Sequence, residues 1–245
     1  MELIPAIDLR DGGCVRLLKG DFERETRYAV DPLELAGRYR ALGARWLHVV
    51  DLDGAARGAP VHLALVERIR ATSGLRVQFG GGIRARKDLD AAFDAADRVV
   101  IGSLVVTAPE RVAEWLEELG GERLTLAFDV RLDEAGTPFV ATHGWTRPST
   151  LTLEAAVERY RGIGLEHVLC TDIDKDGALT GPNVELYADC MRRWPGLALQ
   201  ASGGVRDAAD LAALAATGVA AAVSGKALLE NRLTAEEMRP FLPGA

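Results

Sequence analysis

The sequence predicts an α/β fold: a (β/α)8 TIM barrel built from two (β/α)4 half-barrel repeats. Three observations predict it. Eight short apolar runs alternate with amphipathic stretches, which implies parallel strands joined by helices. The chain has 245 residues, close to the ~250 that one such barrel fills. Motifs at the strand ends recur in the same order about half a chain later. The expected organisation is one domain over 1–245, with internal halves of about 1–121 and 122–245. An open doubly wound sheet is the structural rival.

The strands are expected near 2–8, 46–51, 75–79, 98–102, 124–129, 166–172, 197–201 and 220–224. Helical periodicity covers 32–43, 61–74, 87–96, 109–119, 152–164 and 208–218. The first of these opens with Asp31 as a cap and Pro32 at the first helical position. The stretch 10–28 follows the first strand and reads as a long loop, a length common in active-site lids.

The repeat is carried by four strand ends. IPAID at 4–8 matches TLAFD at 125–129. VVDLDGAARG at 49–58 matches CTDIDKDGALTG at 170–181, with a two-residue insertion. QFGGGIR at 78–84 matches QASGGVR at 200–206, and VVIGSLVV at 99–106 loosely matches AAVSGKALL at 221–229. In a barrel with pseudo-two-fold symmetry, Asp8 at the end of the first strand faces Asp129 at the end of the fifth. Every repeated motif falls on the C-terminal rim, where such barrels carry their active sites.

Each half also repeats glycine-rich turns, which let backbone N–H groups approach an anion at a helix start. Gly81 and Gly82, with Gly102 and Ser103, make one expected phosphate site. Gly203 and Gly204, with Gly225 and Lys226, make the other. Gly177, after the sixth strand, is placed with the phosphate-binding set, and Arg84 adds a charged contact. Two anion sites on opposite sides of one mouth imply a long small-molecule substrate with a phosphate at each end.

The formal net charge of −7 argues against a nucleic-acid or membrane-surface role, either of which needs a positive footprint. Three unpaired-looking cysteines, no basic leader and no long apolar run point to a cytoplasmic, untargeted protein. A monomer is expected.

IPAIDLRDGGCVRLLKGDF at 4–22, HVVDLDGA at 48–55, FGGGIR at 79–84, IGS at 101–103, FDVR at 128–131, TDIDKDGALTGPN at 171–183, ASGGVR at 201–206 and SGKAL at 224–228 together resemble the histidine-biosynthesis isomerases. These are the phosphoribosylformimino-aminoimidazole-carboxamide ribotide isomerases. The resemblance spans essentially the whole chain. It implies an Amadori rearrangement of an aminoaldose to an aminoketose, on a substrate with two phosphoribosyl groups, with no metal and no cofactor. It implies Asp8 as general base and Asp129 as general acid. An ordinary Asp titrates near ~3.9, so Asp129 is expected to have a raised pKa, through burial or a neighbouring carboxylate, when substrate is bound. The resemblance also implies substrate contacts for Arg16, Lys19, Asp172 and Trp145, the last stacking on substrate when its loop closes. Thr146, Arg147 and Pro148 replace the family's usual acidic or amide residues after this tryptophan. His143 stands where dual-substrate relatives carry arginine, which implies weak or absent activity on phosphoribosylanthranilate.

Other motifs fail. Asp172, Asp174, Asp176 and Gly177 imitate the start of a calcium loop, but its twelfth position is Asn183 rather than glutamate. SGK at 224–226 lacks the remaining residues of a phosphate-binding P-loop. His48, His62, His143 and His167 have no zinc-ligand spacing. Lys226 invites a Schiff-base reading, but it lies on a glycine turn rather than in a desolvated setting. The closer alternative is the cyclase subunit of imidazole glycerol phosphate synthase, which typically has a cysteine in the first strand where this chain reads PAID.

Overall fold

The computed structural model describes residues 1–142, Trp145 and residues 147–244. Eight parallel strands close into a ring: β1 (Glu2–Arg10), β4 (Trp46–Asp51), β5 (Arg76–Gly80), β6 (Arg98–Ile101), β7 (Leu124–Leu132), β10 (His167–Asp172), β11 (Ala198–Ser202) and β12 (Ala221–Ser224). Closure comes from β1, which pairs with β12 through Glu2↔Ala221 and with β4 through Ala6↔His48. All eight expected strands are present, and the barrel displaces the open-sheet rival because the eight-strand ring closes without an edge. β1 and β7 lie opposite each other around the ring.

Alternation along each strand sorts residues between two cores. Outward side chains such as Leu3, Ile7, Leu47, Val77, Val99, Leu126 and Val168 pack under the helices. Inward positions hold a smaller cluster that includes Ile4, Ala6, Trp46, Val100, Ala127 and Leu169. Buried polar groups cross the middle of the ring. The Gln78 and Gln200 amides bond each other reciprocally, Nε2 to Oε1 at 2.8 Å and at 3.0 Å. The Thr125 hydroxyl donates to Gln78 Oε1 at 3.0 Å, and His48 Nδ1 lies 3.1 Å from Gln78 Nε2. Below this layer the Trp46 ring stacks against the guanidinium groups of Arg76 and Arg98, 4.3 and 4.4 Å from the ring centre.

The helices form where the periodicity places them. α1 (Pro32–Ala41) is capped by Asp31, whose carboxylate accepts from the Leu33 and Glu34 N–H groups. α3 (Leu63–Ser73), α4 (Arg86–Ala95), α6 (Pro109–Leu119), α7 (Leu153–Arg161) and α9 (Ala208–Ala216) follow the expected spans. Short helices α2 (Leu52–Arg57), α5 (Leu104–Thr107), α10 (Lys226–Leu229) and α11 (Ala235–Met238) were not expected. Neither was α8 (Val184–Arg193), whose cap Asn183 accepts from Leu186 N–H. The α4 and α9 starts are built alike: Asp88 accepts from Arg84 N–H, and 122 positions later Asp210 accepts from Arg206 N–H.

The expected long loop after the first strand is instead a hairpin of β2 (Gly13–Leu18) and β3 (Asp21–Tyr28), continuing antiparallel from β1. Its two tight turns, Asp11-Gly12 and Lys19-Gly20, each put two residues at positive φ, which matches the twist of a hairpin. A second antiparallel extension, β8 (Pro138–Thr142) and β9 (Arg147–Thr152), follows β7.

The amide pair predicts a stability effect. Gln200→Leu strands part of the buried Gln78 amide and is expected to cost about 1–3 kcal/mol. The Gln78→Leu, Gln200→Leu double variant is expected to cost less than the two single changes together, because it removes both partners. Urea unfolding midpoints of the three variants check this.

Candidate active site

The C-terminal ends of the strands open into a cavity of about 1260 Å³, lined by the hairpin tip with Asp21 and Glu23, by the glycine turns, and at the strand ends by the carboxyl groups of Asp8, Asp129 and Asp176. Asp8, the last inward residue of β1 before the hairpin, is largely buried and pairs with Arg16 of β2 at 2.8 Å. A second nitrogen of Arg16 donates to the Ala6 carbonyl at 2.5 Å. Burial pushes the Asp8 carboxyl upward, and the Arg16 charge and hydrogen bond oppose that push. Arg16 therefore favours the ionised form of Asp8.

Asp129, at the equivalent height on β7, is also pushed upward by burial. The side chains of Trp145 and Thr171 hydrogen-bond its carboxyl and act in the opposite direction. In the free protein burial is the first cause of that upward push.

A third carboxylate shares the mouth. Asp176 follows β10, and burial, with the charges of Asp8 and Asp129 nearby, pushes its pKa up to about 7. From sequence, Asp176 figures only in the rejected calcium loop. The half-to-half comparison could not single it out, because it falls in the two-residue insertion that has no counterpart in the first half.

The glycine turns meet around the same cavity. Gly81, Gly82, Gly102 and Ser103 line one side; Gly203, Gly204, Gly225, Lys226 and Gly177 line the other. Gly81 has φ +121°, and a Cβ there would overlap the Asp51 carbonyl. Gly203 has φ +97°, and a Cβ there would stand 3.0 Å from the Asp172 carbonyl oxygen. Those two glycines are thus required by backbone packing whether or not an anion binds. Gly102 differs, since nothing lies within 4 Å of the position its Cβ would take. At Gly225 the vacant Cβ position is filled by the Arg16 guanidinium.

Among the cations, Arg84 lines the cavity and makes no ion pair among the described residues, whereas its counterpart Arg206 is tied to Asp210 at 2.9 Å. Lys226 Nζ donates to the Gly177 carbonyl at 2.8 Å. Lys19 pairs with Asp174 at 3.2 Å at the outer rim. Asp172 does not line the cavity. It is buried, and its carboxylate accepts from Asp174 N–H and from the Asn183 amide at 2.8 Å, so it shapes the turn that carries Asp176. His143 and Thr146 lie outside the described residues, as do the side chains of Arg147 and Pro148.

Asp51, Asp53 and His62 bring possible ligand atoms within 4.8 Å of one another. The Asp51 carboxylate is already occupied by the N–H groups of Gly54, Val61 and His62. Asp53 accepts from Asp11 N–H and contacts His62 Nε2 at 2.6 Å. This cluster ties the first hairpin turn to α2 and to the start of α3. No helix among the described residues is long and apolar enough to cross a membrane.

A family model described as "Histidine biosynthesis protein" matches residues 2–234. A protein of Stenotrophomonas maltophilia strain R551-3 is 48% identical over 234 residues, covering 95% of this chain and 96% of its own. A protein of Vibrio cholerae is 46% identical over 236 residues, covering 96% of each chain. One of Idiomarina loihiensis is 47% identical with the same coverage. All three carry the name 1-(5-phosphoribosyl)-5-((5-phosphoribosylamino)methylideneamino) imidazole-4-carboxamide isomerase.

Asp176 predicts a pH dependence of stability. Its folded pKa of about 7 lies above the ordinary 3.8, so the folded state binds its proton more tightly than the unfolded chain does. The stability contributed by that proton is complete below 3.8 and is lost as the pH rises through about 7. Asp176→Asn is expected to flatten this fall. Unfolding midpoints of the two proteins between pH 5 and 8 check it, and equal slopes would refute the assignment.

Proposed function

This chain belongs to the histidine biosynthesis protein family, and on that premise we propose that it is an aldose–ketose isomerase. The reaction is the Amadori rearrangement of a bis-phosphoribosyl aminoaldose to the aminoketose. The observation that carries the reading is the pair of opposed carboxyl groups, Asp8 and Asp129, in one cavity flanked by two glycine-turn sites. A substrate with a phosphate on each ribose would span the mouth, one end at Gly81, Gly82, Gly102 and Ser103 and the other at Gly203, Gly204, Gly225 and Lys226. Arg84, whose guanidinium makes no ion pair among the described residues, is available to the first phosphate; Arg16, paired with Asp8 and seated on Gly225, lies beside the second. Arg16, Lys19, Trp145 and Asp172 complete the proposed substrate-binding set, Asp172 acting through the turn it holds.

The chemistry needs one acid and one base. Asp129 gives a proton to the ribose ring oxygen, the ring opens, and the nitrogen lone pair forms a protonated Schiff base at C1′. Asp8, whose ionised form Arg16 favours against burial, takes the proton from C2′, and the electron pair moves to give an enolamine. Proton return to C1′, with loss of the C2′ hydroxyl proton, leaves the ketone. Asp176 supports the acid side: near neutral pH it still holds a proton, and it lies close enough to feel both other carboxylates. The recurrence of the Arg84–Asp88 contact at Arg206–Asp210 supports a chain of two related halves within one domain.

Purified protein given the aminoaldose is expected to convert it without added metal or cofactor. Asp8→Asn and Asp129→Asn are each expected to lower kcat by about 10²–10⁴-fold. Absorbance of the aminoketose follows the reaction. Activity retained in Asp8→Asn would remove the assigned base. Inertness toward the aminoaldose, with ammonia-dependent consumption of the aminoketose, would move the assignment to the cyclase.

A further inference from the structure

Two loops from opposite sides of the barrel meet above Asp129. One is the tip of the β2–β3 hairpin, where Lys19 and Gly20 occupy the two left-handed positions of a tight turn, with φ +54° and +72°. The other is the tip of the β8–β9 extension, which carries Trp145 at φ +71°. A left-handed backbone is uncommon for a bulky residue and persists only when its surroundings hold it. Three contacts hold Trp145. Its carbonyl accepts from the Arg131 guanidinium at 2.9 Å. Its side chain donates to the Asp129 carboxyl, and the indole N–H is the only group on that side chain able to do so. The ring itself lies on the Cα face of Gly20: a Cβ there would overlap Cε3 and stand 2.9 Å from Cζ3.

The hairpin tip is held in turn. Lys19 N–H donates to the Asp176 carbonyl at 3.2 Å, and Lys19 Nζ pairs with Asp174. Gly177 passes so close to the Leu17 carbonyl that a Cβ would stand 2.5 Å from its oxygen. The loop after β10 therefore fixes the hairpin tip, and the hairpin tip supports the tryptophan.

We propose that Gly20 is a positioning residue: its bare Cα face is the seat of the Trp145 ring, and that seat aims the indole N–H at Asp129. Any side chain at position 20 lifts the ring and takes the indole off the carboxyl, although position 20 itself touches neither the carboxyl nor the reacting atoms. The catalytic part of this inference rests on the isomerase reading above; the seating of the ring does not.

The test separates seating from turn strain. Gly20→Ala adds a Cβ and strains the turn. Gly20→Asn adds the same Cβ at a residue that tolerates left-handed backbone. In the free protein, the Trp145 signal is the difference between each chain and its Trp145→Phe version; the other three tryptophans are buried. Both Gly20 variants are expected to shift that signal to longer wavelength as the ring moves into water. An unchanged signal in Gly20→Asn overturns the proposal whatever the enzyme's reaction proves to be. In turnover, either variant is expected to lower kcat about tenfold to a hundredfold, the scale of a small misplacement of a reacting group. The same substitutions in a Trp145→Ala background are expected to change kcat less than about twofold, because no ring remains to be seated. Equal losses in both backgrounds would make Gly20 a turn residue only.

Discussion

Closure of the ring between β1 and β12 is the constraint on which the rest depends. Parallel strands that close on themselves must all point the same way, so eight strand ends arrive at one rim. Asp8, Asp129 and Thr171 meet there because each is an inward residue at the end of a strand; none needs a long loop to bring it in. Closure also fixes which side chains face inward. A one-residue slip of β1 against β4 would send Asp8 outward among the helices and bring Leu9 into the cavity. The register Ala6↔His48 is therefore as much a part of the site as the carboxylate itself.

Electrostatics in the mouth run against the net charge of the chain. A protein of formal charge −7 places five carboxyl groups around one cavity, Asp21 and Glu23 on the hairpin and Asp8, Asp129 and Asp176 at the strand ends. Burial raises Asp8, Asp129 and Asp176, and at Asp176 the charges of the other two add to it, but to different ends. Arg16 offsets the rise at Asp8. Trp145 and Thr171 offset it at Asp129. Asp176 has its neighbouring carboxylates against it and keeps its proton to about pH 7. One cavity thus holds a carboxyl group paired with an arginine beside one that keeps its proton to about pH 7, and acid–base chemistry on a sugar draws on such unequal surroundings.

The barrel strands were legible because their apolar runs are bounded by glycine and acidic residues, and the repeat located their ends. The hairpin β2–β3 was not, although Asp11-Gly12 is a strong hairpin signal; polar DFERET hides a strand that is exposed along most of its length. Helix α8 is harder to read because its cap, Asn183, also falls at the twelfth position of the calcium-loop imitation. Asp176 was missed because symmetry finds only what both halves contain. Asp172 reads like a site residue from sequence, yet its carboxylate is turned to Asn183 and the backbone. Distinguishing a carboxylate that faces a ligand from one that folds a turn needs the direction of a side chain, which spacing does not carry.

The layer formed by Gln78, Gln200, His48 and Thr125, with Trp46 between two arginines beneath it, makes the barrel a vessel with a floor. Whatever enters above Asp8 must leave by the way it came. Entry and exit then share one door, at the rim where the Trp145 ring lies on Gly20. A tighter latch would protect an opened sugar from water and in the same measure detain the finished product. The floor therefore turns a question of stability, how well a buried amide pair is satisfied, into one of traffic.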